Sequence, residues 1–552
     1  MTGPITAGAG RTFRFSSFPG ADTYERFRHA MEALRANPGA VLEVEPGTYT
    51  LTTDRARRAQ ESVMSGAWGE NPQKVMFRPD YAYDIGIDLR GQKNTTLRAY
   101  GVRLLADGFM EVLSLTDAEG VTVEGLEIDH LRRPFSEGTI RHCTTVSDSE
   151  AFFDVELPGD CPIQPGTPLN LRSFVYDPRT CRLEGVGLED MESRYLDPRH
   201  VRCTGTRWTG KWRENMPEGM PEGMPFCIWH TFHSRPAVLV QRCRNITLRD
   251  ITVRSHPGMG ITANRAENVL IEGYRNIPAP GLHLSTNTDA THFTACSGTL
   301  IIRNSVFEAQ GDDAVNVHGY YHTIREAHGC RCLTENTCKD GTHTQTPDYP
   351  DPGDELELCD SRTLAVISRF RAVRAEVRED PRFAEWTLDA PLPAGSEGML
   401  LFNASKLPAF EFSHNVCRGN FARGVLCKTR NVRIHDNVFE DIMGTAVSVY
   451  AEASWAEGTF SGNLKIEDNV IRRCGHQWGP VGGIQIGIDA PETAETPQIR
   501  GVTVTGNRID CPDTALGLSV ACTDGLRIRD NAITGSAHAL QVTGCAHTEI
   551  EL

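Results

Sequence analysis

The chain reads as all-β: a parallel β-helix with two small antiparallel, barrel-like modules inserted between its coils. Three observations carry that expectation. First, a motif of short strand, polar Asn turn and short strand recurs in Leu-Ile-Ile-Arg-Asn304-Ser-Val-Phe, Val-Arg-Ile-His-Asp-Asn437-Val-Phe, Leu-Lys-Ile-Glu-Asp-Asn469-Val-Ile, Val-Thr-Val-Thr-Gly-Asn507-Arg-Ile and Leu-Arg-Ile-Arg-Asp-Asn531-Ala-Ile. Earlier copies begin at Asn245 and Asn268, twenty-three residues apart, and Val-Thr-Val at 121–123 belongs to the same pattern. Second, apolar and polar residues alternate over four or five positions in each copy, the mark of a strand with one buried face. Third, no copy can bury that face alone, so successive copies stack as coils about 4.8 Å apart.

Taken in order, residues 1–138 hold an N-terminal cap and the first coils. Thr23 to Ala36 has helical apolar spacing, and a helix there covers the strand edges and core that a solenoid's first coil exposes. Residues 139–238 read as a first inserted β module, where Phe-Phe-Asp-Val-Glu-Leu and Leu-Asn-Leu-Arg-Ser-Phe alternate with Pro and Gly turns and the Asn corner is missing. Coils resume over 239–323, and residues 324–410 read as a second module through Leu-Ala-Val-Ile-Ser-Arg-Phe and Trp-Thr-Leu-Asp-Ala-Pro-Leu-Pro. Residues 411–552 return to coils. Insertions in solenoids go to corners, and Asn or Gly at a corner tolerates the left-handed backbone of a sharp bend.

A net charge of −16 with no basic run argues against nucleic acid, against anionic membrane surfaces and, more weakly, against a heavily anionic polysaccharide. No stretch approaches eighteen apolar residues, and the N-terminus shows no charged segment followed by an apolar one. Seventeen scattered cysteines read as core thiols in a reducing compartment, which makes the protein cytoplasmic unless a leader has been removed. Cys330, Cys332 and Cys338 with His328 form one local cluster, open to a disulfide or a zinc ligand set, although no second paired-cysteine motif follows. A metal-free, cofactor-free protein is the expectation.

The candidate site lies where the repeat meets acids. Asn287-Thr288-Asp289 is followed, twenty-three residues from that aspartate, by Gly311-Asp312-Asp313 and then His318-Gly319. Residues one period apart stack, so Asp289, Asp312 and Asp313 converge on one patch flanked by His292 and His318. Carboxylates at close range push each other's pKa values apart, which lets one stay protonated while another activates water, the division of labour that glycoside hydrolysis needs. A polar corner, or the ligand set of a structural calcium, uses the same residues. Gly311 lets the backbone bend so that neighbouring side chains need not point to opposite faces.

At these residues the sequence resembles the active-site signature of glycoside hydrolase family 28, the polygalacturonases, whose fold is a right-handed parallel β-helix. The wider context is more similar to the α-1,3-galactosidases of glycoside hydrolase family 110, through Asp289-Ala-Thr-His-Phe-Thr-Ala-Cys-Ser-Gly, Phe307-Glu-Ala-Gln-Gly-Asp-Asp-Ala-Val-Asn-Val-His-Gly-Tyr, Asn420-Phe-Ala-Arg-Gly-Val-Leu and Tyr450-Ala-Glu-Ala-Ser-Trp-Ala-Glu-Gly. The resemblance covers about residues 80 to 480. It implies exo-acting, metal-independent, inverting hydrolysis of terminal α-1,3-linked galactose from an oligosaccharide or glycoconjugate. Catalysis then falls to Asp289, Asp312 and Asp313, with Asp312 as general acid on the family 28 pattern, or Asp313 with the two roles exchanged, and the others orienting and deprotonating water. His318 binds a sugar hydroxyl or orients the acid, and Arg423 binds hydroxyls or balances the carboxylates. With His292, these two are the substrate-binding candidates nearest the acids; Glu452 and Trp455 complete the set as a galactose subsite, a carboxylate fixing hydroxyls beside an aromatic face.

The chain departs from family 28 where an Arg-x-Lys element grips a uronate, for it reads Lys428-Thr429-Arg430 there, which disfavours a uronic acid substrate. The Met-Pro-Glu-Gly repeat at 216–225, with Trp208, Trp212 and Trp229 nearby, either walls one end of a cleft or tethers it. Two other function classes stay open. A calcium-dependent polysaccharide lyase would lose activity to a chelator and release an unsaturated product, and a non-catalytic carbohydrate-binding solenoid would have no turnover to lose. The solenoid's flank offers lateral surface for a homodimer.

Overall fold

A computed structural model describes residues 10–76, 78, 80–180, 182–209, 220–336, 348–477 and 479–552. Cys338, Trp212 and residues 216–219 of the Met-Pro-Glu-Gly repeat fall outside these.

Three parallel sheets run along the solenoid. The first starts with Thr12–Arg14 beside Val41–Glu43 and passes through Arg244–Arg249, Glu267–Glu272, Ser297–Arg303, Ala409–Ser413 and Val432–His435 to Ala546–Ile550. The second carries the short strands Thr252–Val253, Arg275–Asn276, Val306–Glu308, Val416–Arg418 and Val438–Glu440. The third runs from Ile85–Asp88 through Val238–Gln241, Ile261–Asn264, Thr291–Thr294, Val315–His328, Val425–Cys427 and Val447–Glu452 to His538–Thr543. In the third sheet Ile261, Thr291, Val315, Val425 and Val447 share one register. Phe293, Val317 and Cys427 sit in the core, so by the two-residue period His292, Asn316 and Leu426 point to the outer face.

The recurrent asparagines do two jobs. Asn245, Asn268 and Asn304 adopt left-handed φ values of 55°, 59° and 54°, as a corner requires. At the later copies the left-handed residue is the one before, Asp436, Asp468 or Asp530, and the asparagine turns inward. Asn415, Asn437, Asn469, Asn507 and Asn531 form a buried ladder in which each backbone N–H and side-chain amide donates to Oδ1 of the next, at 2.9–3.2 Å. Each side-chain Nδ2 also donates to a carbonyl of the preceding coil, such as Asn469 to Ile434 at 3.0 Å. The ladder thus pairs backbone groups that a sharp corner would leave unmet inside the core.

The helix Thr23–Arg35 is capped by Asp22, which accepts from the Glu25 N–H at 2.8 Å, and it buries Phe27, Ala30, Met31 and Leu34 in the solenoid core. A second helix, Asp54–Met64, is capped by Thr53 and covers Ala59, Val63 and Met64.

Two antiparallel modules interrupt the coils. The first is a seven-stranded sheet in the order Arg182–Gly185, Ser173–Asp177, Pro225–Trp229, Phe135–Ser147, Glu150–Glu156, His200–Gly205, Glu192–Asp197. Trp208 lies in that module's own core with Phe153 and Phe226 and is 1% exposed, so it is packing and not a cleft wall. The second module is a closed six-stranded barrel. Val315–His328 leaves the third sheet to become its first strand, and Arg331–Glu335, Phe383–Leu388, Val366–Val377, Glu355–Cys359 and Leu400–Asn403 close the circle. Every cysteine among the described residues is a free thiol, Cys330 and Cys332 included. Among the described residues no helix is long and apolar enough to cross a membrane.

Candidate active site

The site grows from the corner that feeds the third sheet. Asp289, Asp313 and Arg423 each stand two residues before the strand positions Thr291, Val315 and Val425 that share a register, so three successive coils stack them in one column. Backbone bonds fix the column: the Ala290 N–H donates to the Asp313 carbonyl at 3.0 Å and the Ala314 N–H to that of Arg423 at 3.0 Å. Asp312 projects beside the column, and one carboxylate oxygen from each of Asp289, Asp312 and Asp313 lies within 4.8 Å of the others. Gly311 is needed for space. A Cβ there would stand 2.2 Å from the Asn287 carbonyl oxygen and 2.6 Å from the Trp229 ring, while its backbone is not left-handed.

Each carboxylate has a different set of partners. Asp313 accepts from the Arg423 backbone N–H at 2.7 Å and from its Nη2 at 3.0 Å, with Nε also 3.0 Å away. Burial first, and then the neighbouring acids, raise Asp313 well above the ordinary carboxylate range against the opposing Arg423 contacts, although the donors aimed at it fit the ionised carboxylate. Asp289 accepts from the Asp313 backbone N–H at 3.1 Å through Oδ1 and faces His292 Nδ1 at 2.5 Å through Oδ2. Asp312 keeps 26% of its side chain exposed, and its nearest cation, Arg172, stands 3.7 Å away. Burial first, and then the Asp289 charge, raise the Asp312 carboxyl to about 6. Asp313 is locked by Arg423, so Asp312, partly exposed and without a cation at hydrogen-bond distance, is the acid placed both to hold a proton and to hand it to a substrate.

Behind Asp289 runs a chain of imidazoles. His292 and His318 meet Nε2 to Nε2 at 2.8 Å, and His318 Nδ1 lies 2.9 Å from the Gly319 carbonyl. A carbonyl only accepts, so His318 carries its hydrogen on Nδ1. Burial lowers the His318 pKa to about 3, which keeps that ring neutral and makes its Nε2 the acceptor of the His292 N–H. His318 exposes none of its side chain.

Glu457, 3.5 Å from His318, connects this chain to a buried cation. Lys428 has no exposed side-chain surface and bridges Glu457 and Glu452, the latter at 2.6 Å. Burial alone would raise the Glu457 carboxyl, but the Lys428 ammonium bonded to it holds it below the usual carboxylate range. The segment 452–458 folds back so that Gly458 and Glu457 pair with Gly319 and Tyr320, and half-buried Trp455 lies on its short 3-10 turn. Asp289, Asp312, Asp313, His292, His318 and Arg423 are thus contiguous, and Glu452 joins them through Lys428 and Glu457.

Sequence reasoning missed Arg172, Glu457 and the role of Lys428. Arg172 comes from the first inserted module, donates to the Gly311 carbonyl at 2.7 Å, and has its guanidinium over Phe232, Phe421 and Trp229 at 4.1, 4.4 and 5.2 Å. It is 139 residues from Gly311, beyond any local motif. Lys428 carried one signal, a cation directly after the strand Val425–Cys427, one coil on from His318.

Three carboxylates this close could also gather round a divalent cation. Calcium takes six to eight oxygen ligands. Here both Asp313 oxygens face Arg423 and both Asp289 oxygens are engaged, which leaves only Asp312 of the three without a donor at hydrogen-bond distance among the described residues, too few open oxygens for such a shell.

Fold and site together define a parallel β-helix with a cluster of three acids at the corner that feeds its third sheet. No protein-family profile matches the chain. The chain is similar to α-1,3-galactosidase B of Parabacteroides distasonis, 25% identical over 499 residues that span 83% of this chain and 76% of that one. It is also similar to α-1,3-galactosidase A of Streptomyces avermitilis, 24% identical over 545 residues and spanning 92% and 83% of the two chains, and to that of Bacteroides thetaiotaomicron, 24% identical and spanning 89% and 85%. The resemblance read from short motifs therefore extends over most of the chain. Solved structures that align with it include the family 28 exopolygalacturonase of Yersinia enterocolitica, with a TM-score of 0.41 and 10% identity over 98% of this chain and 78% of that one. The Streptococcus pneumoniae surface adhesin PfbA aligns with a TM-score of 0.38, 10% identity and coverage of 98% and 92%.

Proposed function

We propose that this chain is an exo-acting, inverting glycoside hydrolase that releases terminal α-1,3-linked galactose from glycans. The observation that carries acid–base hydrolysis is the unequal partnering of the three acids; inversion rests on the family resemblance alone, since one oxygen of each acid lies within 4.8 Å of the others, closer than the roughly 6.5–9.5 Å usual for an inverting pair. Asp289 and Asp313 are held by His292, a backbone N–H and Arg423, while Asp312, with its carboxyl at about 6, has no cation within hydrogen-bond distance. Asp312 protonates the glycosidic oxygen as the bond to the anomeric carbon breaks. Asp289 and Asp313 hold a water against the opposite face of the sugar, and its proton passes to Asp289 as the new C–O bond forms. His292 and His318 serve as positioning residues for Asp289, since neither His318 nitrogen is free to reach a hydroxyl. Arg423 balances Asp313. Galactose as the sugar rests on the similarity to α-1,3-galactosidases, and the net charge of −16 accords with a neutral glycan better than with a uronide. Glu452 and Trp455 supply the carboxylate and the aromatic face of the galactose subsite. The free thiols support a reducing compartment.

Proton NMR of the protein acting on galactosyl-α-1,3-galactose tests this reading. β-Galactose should be the first product, Asp312→Asn should abolish its release, and chelator should change nothing. α-Galactose as first product would overturn inversion. Loss of activity to the chelator, with an unsaturated product, would replace the hydrolase with a lyase.

A further inference from the structure

A second group of ligand-bearing side chains lies away from the acid cluster, on the outer side of the first sheet. His414 and Asp436 occupy the same left-handed corner on adjacent coils, with φ values of 56° and 55°, each just before a rung of the asparagine ladder. His435 precedes Asp436, and Glu411 lies on the strand paired with that of His435. These are the first two coils after the inserted barrel.

His435 is 7% exposed, yet only one of its nitrogens is satisfied. Nδ1 bonds Asp436 Oδ2 at 2.7 Å. Nε2 is buried with no hydrogen-bond partner, and Glu411 Oε1 stands 3.7 Å from it. A buried ring nitrogen left unpaired costs about 1–3 kcal/mol, so this one is aimed at something. The His414 ring faces it with centroids 5.8 Å apart, and His414, His435 and Asp436 each place a ligand atom within 4.8 Å of the others.

We propose that His414, His435 and Glu411 bind a first-row transition ion of the zinc class, with Asp436 holding His435 in the ligating tautomer. Zinc–nitrogen bonds of about 2.0–2.1 Å put the centres of two bound imidazoles roughly 5–6 Å apart, which the existing spacing already meets. A carboxylate on Nδ1 of a histidine that ligates through Nε2 is the recurrent supporting arrangement of such sites, because it fixes the ring and raises its basicity. Two imidazoles and one carboxylate suit zinc, nickel or copper, and a hard oxygen-seeking ion such as magnesium poorly. Water fills the remaining position. The ion would clip two adjacent coils together at the point where the solenoid restarts after the barrel.

The test uses the full chain without a polyhistidine tag. Calorimetric titration with zinc, and the visible spectrum with cobalt, should show one bound equivalent. Zinc should raise the melting temperature by a few degrees, roughly the effect of binding to the folded state alone at 100-fold excess over Kd. His414→Ala, at an exposed corner, should abolish both effects and leave the metal-free melting temperature unchanged, and His435→Gln should abolish metal binding as well. No bound equivalent in the wild type, or one that survives His414→Ala, would overturn the proposal. Loss of the bound ion in Asp312→Asn alone would overturn it too, by moving the ion to the acid cluster.

Discussion

His292 and His318 stand edge to face, their rings at 82° and their Nε2 atoms 2.8 Å apart, with one hydrogen between them. That hydrogen ties the orientation of Asp289, through His292 and His318, to the Gly319 carbonyl on the next coil. Replacing His318 by Phe keeps the volume but removes the acceptor, so the His292 N–H is left buried and unpaired and the ring is free to turn. Misplacing a reacting group by an ångström costs about 100-fold in rate. His318→Phe should lower kcat by that order with KM changed less than about threefold, and His318→Gln, which retains an acceptor, should recover part of the loss. Steady-state kinetics on an α-1,3-galactoside give both numbers. Equal losses in the two variants would refute the acceptor role.

The pH profile should report Asp312. Its carboxyl sits at about 6, and a general acid works only while protonated, so kcat/KM should fall as pH rises through that value. Stability carries the same sign. A carboxyl raised above its unfolded value binds its proton more tightly in the folded state, so that contribution is fully present below the unfolded pKa near 4 and is lost by about pH 6. At pH 7.5 the ionised side chain should cost the fold up to about 3 kcal/mol, an upper bound because a quarter of it meets solvent. Asp312→Asn should therefore melt higher than wild type at pH 7.5, while the gain should vanish near pH 4. Calorimetry at the two values checks it, and an equal gain at both would contradict the assignment.

Arg172 opposes the rise in the Asp312 pKa from 3.7 Å. Removing the charge with Arg172→Met should leave burial and Asp289 less opposed, with Arg423 still acting, and so move the alkaline limb of the profile upward, whereas Arg172→Lys should move it less. The same change frees the Gly311 carbonyl and three aromatic faces, so kcat should drop as well. A profile that stays in place while activity falls would make Arg172 structural only.

What was legible in the chain was whatever the coil period writes locally. The convergence of Asp289 with Asp312 and Asp313 could be read on paper because strands in one parallel sheet repeat at fixed register, but the twenty-three-residue spacing set Asp289 against Asp312, whereas the structure steps 24 residues here and puts Asp313 in the column with Arg423. The helix over Thr23 to Ala36 was visible for the same reason, its apolar period being local, and it spans Thr23–Arg35. Reading each Asn as a left-handed corner was half right, since propensity names the residue but not which of two neighbours takes the bend; Asp436 bends and Asn437 joins the ladder. Gly311 was legible as a necessity but for another reason, because the Trp229 ring that excludes a Cβ arrives from a distant module. Arg172 and Glu457 were illegible because long-range folding alone brings them to the acids.

Lys428 offers the strongest test of what holds the site together. Its ammonium has no exposed surface, and its only ionic partners among the described residues are Glu452 and Glu457, both largely buried. Burial works against the Lys428 charge, but those two carboxylates raise its pKa above the ordinary lysine value. Lys428→Met fills the volume and strands two carboxylates beside His318, and removing one partner from a buried ion network costs about 3–5 kcal/mol. Urea unfolding at pH 7 should show a loss of that size. Glu457 should then no longer be held low, so part of the lost stability should return as the pH falls toward 5 and that carboxyl takes up a proton. The triple substitution Lys428→Met, Glu452→Gln and Glu457→Gln should lie closer to wild type than Lys428→Met alone. If it proved less stable than the single variant, the destabilisation would come from lost packing and not from uncompensated charge.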